Sequence, residues 1–232
     1  MPADPTKKPA LARSPRPRAA LTRDRIEIEA LALIDAHGIE AFSTRKLGER
    51  LGCEAMSIYH HYPSKAHILD ALVDRVLGGM PIPDKAMTPA ARLRQFAEGW
   101  RRVSLAHPRL YLWLALHRWN SQTGTAFLDE MLACFYDAGL TPELSARGFR
   151  LLGYYVLGAT LDESSGYAQG PSSLEPVTPE ELNTEFPRVS QAGRFFAPAH
   201  FDATFELGFG ALMRELGLEP REPAKKKRKR SR

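Results

Sequence analysis

The chain has 232 residues, 44% of them hydrophobic and 25% charged, so it can bury a sizeable core. Its two cysteines, Cys53 and Cys134, lie far apart, which argues against a disulfide scaffold or a cysteine zinc site, and no run of about 18 apolar residues is available to cross a membrane. The net charge of +5 arises at the ends, with seven basic and two acidic residues in 1–25 and eight basic and one acidic in 221–232. The residues between them carry about −7, so the basic balance is weak evidence for a nucleic-acid partner.

Five prolines are scattered among the lysines and arginines near the start, so residues 1–21 are predicted to form a disordered basic arm. This arm has no apolar stretch typical of a secretory signal, which favours a cytoplasmic location. A first helix is expected from Thr22, a suitable N-cap, to Gly38, a suitable C-terminal stop. One stripe of this helix is predicted to face the core: Ile26, Ala30, Leu33, Ile34 and His37.

Three further helices are predicted in the next thirty residues or so. Ser43 can cap a short second helix, which Gly52 ends. A third helix is predicted over roughly 55–62, where Pro63 breaks it. Ser64 can cap a fourth, clearly amphipathic helix.

The prolines and glycines of residues 78–83 interrupt this pattern and predict a division into two parts. We call residues 22–79 the head and residues 80–218 the body, and expect residues 219–232 to form a basic disordered tail. A loop is predicted at 169–178. Sustained period-two alternation is missing throughout, so the predicted fold class is all-α: a three-helix helix-turn-helix head on a helical body. The helices predicted for the body lie near 88–106, 108–118, 122–138, 142–168, 179–192 and 198–217.

The strongest functional signal lies in residues 43–65. Two short helices joined by a tight glycine turn are typical of a helix-turn-helix, whose second helix enters the DNA major groove. If Ile58 faces the core, Met56 and His60 lie about 160° and about 200° from it around the helix. Both side chains therefore point outward, where they can meet base edges.

Neighbouring side chains suit phosphate contacts. Ser57 can bond a base or a phosphate, and Tyr59 can reach a phosphate with its hydroxyl. Thr44 and Arg45 open the second helix, where backbone N–H groups favour an anion, and Arg45 is long enough to reach a guanine edge. Lys65 opens the fourth helix and can contact phosphate in the same way.

A purely structural helical hairpin is the alternative, because residues 26–65 carry four basic residues against six acidic ones. The run HGIEAFSTRKLGERLGCEAMSIYHHYPSKAHILDAL favours DNA binding, since it resembles the DNA-binding domain of the tetracycline repressor (TetR) family. The specific elements are G-I-E, S-T-R-K-L, L-G, S-I-Y-H-H-Y and S-K…I-L-D-A-L. The resemblance implies DNA contacts at Thr44, Arg45, Ala55, Met56, Ser57, Tyr59, His60, His61 and Lys65.

The resemblance has a clear departure at the base-reading positions. The family's best-known member has Gln-Pro-Thr in place of Ala55, Met56 and Ser57, and Trp in place of His60. The operator of this chain is therefore expected to differ from a tet operator.

Residues 92–168 resemble the C-terminal domain of the same branch more loosely, through the A-G-L loop and the long helix after it. The resemblance implies a homodimer that binds a small effector in each body and then swings its heads out of operator spacing. Aromatic side chains concentrated in this region favour such a pocket, although ordinary core packing is the alternative for each of them. The candidate ligand contacts are His107, Tyr111, Trp113, His117, Trp119, Phe127, Met131, Tyr154, Tyr155 and Asp162.

A magnesium–tetracycline effector is disfavoured by the same comparison. Asp162 falls at the family's acidic position near the metal, but Ala115 occupies its histidine position and His117 lies two residues away. A neutral aromatic or lipophilic effector is expected instead, with no metal and no cofactor.

Dimerisation requires an apolar face on the last helices. Gly153 and Gly158 would allow a close helix approach in the long helix, so a four-helix interface from 142–168 and 198–217 is expected. Such a two-fold dimer implies a palindromic operator with half-sites roughly 34–36 Å apart. The apolar residues predicted to supply the face in the last helix are Phe201, Phe205, Phe209, Leu212, Met213 and Leu216.

The basic run at 225–230 resembles a nuclear localisation signal. In a bacterial protein it would add non-specific DNA affinity, remain merely solvated, or represent an appended tag.

The sequence thus predicts a cytoplasmic, ligand-responsive repressor that binds double-stranded operator DNA, is associated with the nucleoid when bound, and has no membrane partner. One alternative is a DNA-binding regulator of the same fold that has no small effector and acts as an activator or under protein control. A more remote alternative is a small helical enzyme using His107, His117 and Asp162. No nucleophile–base pair, H-E-x-x-H motif or phosphate loop supports it, so no catalytic residue is predicted.

Overall fold

A computed structural model describes residues 20–117, 119–165 and 174–219, and within these ranges the chain is helical with no strand. The predicted all-α fold class is confirmed. The predicted N-terminal arm before residue 20, much of the predicted loop, and the basic tail with its run at 225–230 lie outside the described residues. The α-helices are α1 (Arg23–His37), α2 (Thr44–Leu51), α3 (Ala55–Tyr59), α4 (Lys65–Gly79), α5 (Pro89–Ala106), α6 (Pro108–Leu116), α7 (Gln122–Asp137), α8 (Pro142–Ser165), α9 (Pro179–Thr184), α10 (Pro187–Gly193) and α11 (Phe201–Glu215).

Capping side chains set the helix starts in the head. The Thr22 hydroxyl accepts a hydrogen bond from the backbone N–H of Arg25 at 3.2 Å, and the Ser43 hydroxyl accepts one from Lys46 at 3.3 Å. Such caps satisfy N–H groups that have no partner within the helix. The predicted caps at Thr22 and Ser43 are therefore confirmed.

Two predictions in the head need correction. The third helix ends at Tyr59 and not near Tyr62, because the backbone N–H of His61 bonds only three residues back, to the carbonyl of Ile58 at 2.9 Å, and closes the helix in a tight turn. His37 was predicted on the buried stripe of α1, but its side chain is exposed. It lies in the last turn of the helix, beyond Ile34, the last residue of the stripe that is buried.

The head and the body meet along α4. This helix packs against α1 in the head and against α7 in the body. It continues through Gly79 into the predicted interruption, and Met80, only 7% exposed, packs into the core directly after it. Because α4 contacts both parts, a change in the body can reach the head through it.

The body is a bundle in which α5, α7 and α11 pack on α8, with α6 beside α5. Its predicted helices are found with one clear exception. The helix predicted over 179–192 is divided into α9 and α10, since Pro187 starts a new helix and cannot donate a backbone hydrogen bond to the preceding one. The helix predicted to start at 198 begins as a 3-10 turn before α11. None of the body or head helices in the described ranges is long and apolar enough to span a bilayer.

Candidate DNA-binding face and ligand cavity

A tight turn joins α2 to α3. Gly52 adopts φ 70° and ψ 32°, the left-handed conformation that glycine accepts without strain. Gly48 is equally restricted, because a Cβ there would lie 2.7 Å from the carbonyl oxygen of Cys53. Sequence analysis identified the turn glycine but not Gly48, whose role depends on how closely the turn crosses α2.

α3 has one buried side and one exposed side. Ile58 is 0% exposed and Tyr62, just after the helix, is 6% exposed. On the opposite side Met56 is 64% exposed, and His60 is exposed as well. The structure thus gives Met56 and His60 the outward orientation that helical geometry predicts, while their contact with DNA stays a prediction.

Hydrogen bonds hold several candidate phosphate-binding side chains near the start of α2. The hydroxyls of Thr44 and Tyr59 lie 3.1 Å apart, which joins α2 to α3. The ammonium group of Lys65 donates to the backbone carbonyl of Phe42 at 2.8 Å. Three of the predicted contacts, Thr44, Tyr59 and Lys65, are therefore held in place by hydrogen bonds within the protein.

The remaining candidates are less constrained. Arg45 is highly exposed and forms an ion pair with Glu49, one turn further along α2, at 2.7 Å. An exposed pair of this kind contributes little free energy, so the guanidinium group can exchange it for DNA. Ala55, Ser57 and His61 are half-buried along the edges of the same face.

The body contains a cavity of about 570 Å³, bounded by α5, α6, α7, α8 and the segment between α6 and α7. This volume is typical of pockets for small molecules. The indoles of Trp100 and Trp119, which both line it, stack with ring centroids 5.4 Å apart and an interplanar angle of 7°. The predicted ligand contacts that line the cavity are Tyr111, His117, Trp119, Met131 and Tyr154.

The other predicted ligand contacts are not brought to the cavity. His107 lies at the boundary with the head, where its Nδ1 is 2.8 Å from Oδ2 of Asp35. Asp162 is exposed on α8. The Tyr155 hydroxyl donates to the backbone carbonyl of Phe205 at 2.6 Å, which ties α8 to α11.

Trp113 and Phe127 do not line the cavity but lie next to residues that do. The Trp113 ring lies 4.4 Å from the His117 ring, and Phe127 is 3% exposed with its ring edge-on to Trp119 at 5.9 Å. Hydrophobic periodicity does not distinguish these two residues from the lining residues beside them. The lining residues that sequence analysis did not nominate include Asn120, Phe149 and Arg150.

Few polar groups line the cavity, and most of them have partners. The Thr160 hydroxyl lies 2.6 Å from both the Tyr111 hydroxyl and the Val156 carbonyl. Because its single proton satisfies the carbonyl, the Tyr111 hydroxyl donates to Thr160. Burial raises the pKa of Tyr111, so this hydroxyl stays protonated. The indole N–H of Trp119 is buried without a hydrogen-bond partner among the described residues.

The segment between α6 and α7, which we call the α6–α7 loop, contacts both the cavity and α4. His117 lines the cavity, and its Nε2 lies 3.0 Å from Oδ1 of Asp70 on α4. Ser121 donates from its hydroxyl to Asp74, one turn further along α4, and caps α7 by accepting from Gly124 at 2.9 Å. A molecule in the cavity therefore touches a loop that is bonded to the helix leading into the head.

The apolar face predicted for dimerisation on the last helix is mostly directed inward, which corrects the sequence-based expectation. Phe205, Phe209 and Met213 are at most 2% exposed because α11 packs within the protomer on α8, and the guanidinium groups of Arg94 and Arg101 on α5 lie over the rings of Phe209 and Phe205. The large apolar side chain that α11 does expose is Leu207, at 71%. The exposed apolar residues of α8 are Leu144, Leu151, Tyr154 and Leu161.

Exposed surface is also found at two glycines of α8 and along the segment before α11. A Cβ placed on Gly153 or Gly158 of α8 would meet nothing within 4 Å. The segment 174–200, which carries α9 and α10, has no buried residue in either helix. Its exposed large apolar side chains are Leu174, Val177, Phe186, Val189, Phe195 and Phe196.

Comparison with protein-family profiles gives two matches that together cover the head and the body. Residues 29–72 match the profile "Bacterial regulatory proteins, tetR family", and residues 82–218 match "Tetracyclin repressor-like, C-terminal domain". The second match covers more than half of the chain.

Whole-chain relatives and solved structures agree with these profiles. An HTH-type transcriptional regulator of Saccharopolyspora erythraea is 28% identical over 88% of this chain and 89% of its own length. The class C tetracycline repressor protein of Escherichia coli is 26% identical over 83% and 89%. The crystal structure of the TetR-family protein ActR of Streptomyces coelicolor in complex with actinorhodin superposes with a TM-score of 0.64 at 27% identity, covering 85% of this chain and 97% of that one.

Proposed function

The chain belongs to the TetR family of bacterial transcription regulators, and from that premise we propose that it is a ligand-responsive repressor that binds a palindromic operator as a homodimer in the cytoplasm. One observation carries the proposal. The α6–α7 loop contacts the cavity on one side and α4 on the other, so a ligand site is bonded to the helix that leads into the DNA-binding head.

On the DNA side, α3 enters the major groove and α2 crosses the backbone. Met56 and His60 meet base edges, while Thr44, Tyr59 and Lys65 hold phosphates. Arg45 reaches a guanine or a phosphate once it leaves its ion pair on α2. The remaining contacts are Ala55, Ser57 and His61, at the edges of the same face.

On the protein side, a second protomer covers the exposed leucines of α8, which are Leu144, Leu151 and Leu161. The open surface at Gly153 and Gly158 supports a close helix approach there. The uncovered side chains of segment 174–200 support an extended interface, because apolar surface of this extent is seldom left exposed on a monomer. A two-fold dimer presents its two α3 helices to half-sites about one helical turn apart.

On the ligand side, the effector occupies the aromatic cavity and displaces the α6–α7 loop. The contacts of His117 and Ser121 with α4 carry this displacement to the head. The two heads then lose operator spacing, and the repressor leaves DNA. ActR, which is similar in sequence and structure, has been crystallised with actinorhodin, and this supports a small-molecule effector here.

The test begins with selection of duplex DNA from a random library by the full-length chain, followed by a fluorescence anisotropy titration of the enriched site. Enrichment of a palindrome that is bound at two protomers per site supports the proposal. The matched comparison is the His60→Ala variant, which should enrich the same palindrome with a relaxed preference at one base pair of each half-site. Failure of the wild-type chain to enrich any sequence at low salt would contradict the proposal. An operator complex that no compound of a screened library dissociates would contradict the ligand-responsive part.

A further inference from the structure

The formal charge on the side chains that line the cavity is of one sign, positive. Among its described lining residues the only fully charged side chain is Arg150, and no aspartate or glutamate is present. Arg150 is exposed on α8, and its Nη1 donates to the Tyr154 hydroxyl at 3.3 Å. It forms no ion pair with any described residue, whereas Arg147, nearly one turn earlier, is paired with Glu143 at 2.7 Å.

The interior of the cavity is large and aromatic. Besides the stacked pair Trp100 and Trp119, its walls include Tyr111, Phe149 and Tyr154. A cavity of about 150 Å³ is enough for benzene, so about 570 Å³ has room for several fused rings. Flat rings pack well against aromatic side chains, either offset-stacked or edge-on.

We propose that the effector is a planar, polycyclic aromatic anion whose rings fill the cavity and whose acidic group pairs with Arg150 at the mouth. This inference rests on the proposed function of the body as an effector site. It replaces the neutral effector expected from the sequence, because the cavity offers an unpaired cation and no described carboxylate that would repel an acid. The Nε2 of His117 already has a partner, since it lies 3.0 Å from Oδ1 of Asp70.

The test uses two probes that share three fused rings and differ in one charge, anthraquinone-2-carboxylate and anthraquinone-2-carboxamide. Binding to the full-length protein is followed by quenching of tryptophan fluorescence, since Trp100 and Trp119 line the cavity. The carboxylate is expected to bind about tenfold more tightly than the amide at low salt, and the ratio should fall as salt screens the exposed arginine. In Arg150→Gln the ratio should approach one with the amide affinity unchanged. The matched control, Arg147→Gln, should keep the tenfold preference.

A further variant locates the probes. Ala115→Phe fills part of the cavity and should weaken binding of both probes. Equal affinity of the two probes for the wild-type protein, retention of the preference in Arg150→Gln, or undiminished binding to Ala115→Phe would each overturn the inference, as would failure of either probe to bind. Unchanged circular dichroism spectra and melting temperatures establish that the variants are folded.

Operator release separates this inference from the proposed function. The carboxylate is added to the protein–operator complex, and dissociation is followed by anisotropy. Charge-selective binding that leaves the complex intact would support the ligand class and contradict the effector role. Loss of charge selectivity in a protein that still enriches a palindrome would overturn the ligand class and leave DNA binding intact.

Discussion

The head and the body of this molecule differ in how their functional residues are assembled. The proposed DNA-binding face is drawn from a single short stretch, residues 44–65, and several of its side chains are held by partners in the same stretch or directly before it, such as the carbonyl of Phe42. The cavity is lined by residues between Ala97 and Leu157, brought together from four helices and a loop. A local motif is determined by caps and turns, whereas a cavity is determined by how helices pack.

The largest effect is expected from Ile58→Ala, which tests whether the head is a separate folding unit. Removing this fully buried side chain should lower the free energy of unfolding of the head by about 2–5 kcal/mol. All three tryptophans lie in the body, so in a urea titration tryptophan fluorescence reports the body while circular dichroism reports both parts. Part of the dichroism transition should shift to lower urea, the fluorescence transition should stay, and operator binding should be lost.

A control in the same head keeps this experiment specific. Ile28 is 45% exposed on α1, and its replacement by alanine should change stability by less than about 0.5 kcal/mol. If Ile58→Ala shifts the fluorescence transition as much as the dichroism transition, head and body unfold as one unit and the contrast between them does not extend to stability.

The next effect concerns base recognition by His60. His60→Ala should cost about 1–3 kcal/mol on the selected operator and relax the preference at one base pair of each half-site. Binding to random duplex DNA should hardly change. Anisotropy titrations against single-substitution operators measure this, and equal loss on operator and random DNA would refute the outward orientation as a basis for recognition.

Lys65→Ala should have a smaller and more uniform effect. Removing one phosphate contact should weaken operator and random DNA alike and reduce the slope of log K against log salt by about one unit. Lys85→Ala is the matched control, because Lys85 is an exposed lysine of the body that lies outside the DNA-binding face. A Lys65 variant that loses affinity only for the operator would assign this residue to base recognition.

The smallest expected effect is a difference in thiol reactivity between the cysteine of the head and the cysteine of the body. Cys134 is fully buried, and burial raises its pKa from 9.0 to about 11. Cys53, beside the α2–α3 turn, is half-buried. At pH 7.5 a maleimide should therefore modify one thiol per native chain, and the second only in denaturant.

The same pKa shift has a consequence for stability. The Cys134 thiol stays neutral in the folded chain at a pH where it ionises in the unfolded one, so its contribution to stability should decline as the pH rises from 9 towards 11. Melting temperatures of Cys134→Ser and wild type, measured across this range, check the decline. Native-state labelling of Cys134 as fast as Cys53 would show that the body opens as readily as the head.

The sequence was sufficient for most of the head and insufficient for the cavity. Ser43 and Gly52 set the ends of α2 by local hydrogen bonding and backbone conformation, which depend on neighbours in the chain. In the body, Phe127 and Met131 are one turn apart on the same helix, yet only Met131 lines the cavity. Helical periodicity gives both the same orientation, and which of them meets empty space depends on the packing of α5, α7 and α8.

The roles of Arg150 and of the last helix could not be predicted from the sequence either. As an exposed arginine on a long helix, Arg150 has no sequence feature that distinguishes it from Arg147, and its place at the cavity mouth depends on the fold. Phe205 and Phe209 were expected at a dimer interface because they form an apolar stripe. An apolar stripe predicts burial, but the sequence does not say whether the covering surface belongs to the same chain, and here it does.

The position of the α6–α7 loop has an evolutionary consequence. The cavity walls at Leu128, Leu152 and Val156 lie on α7 and α8, away from the contacts that His117 and Ser121 make with α4. Mutational drift at these walls can change which compound is accepted while the connection to the head stays intact. With the cavity as the effector site proposed above, a lineage built on this scaffold can acquire a new inducer without having to change its operator, and an engineer can seek new biosensor specificities in the same wall residues.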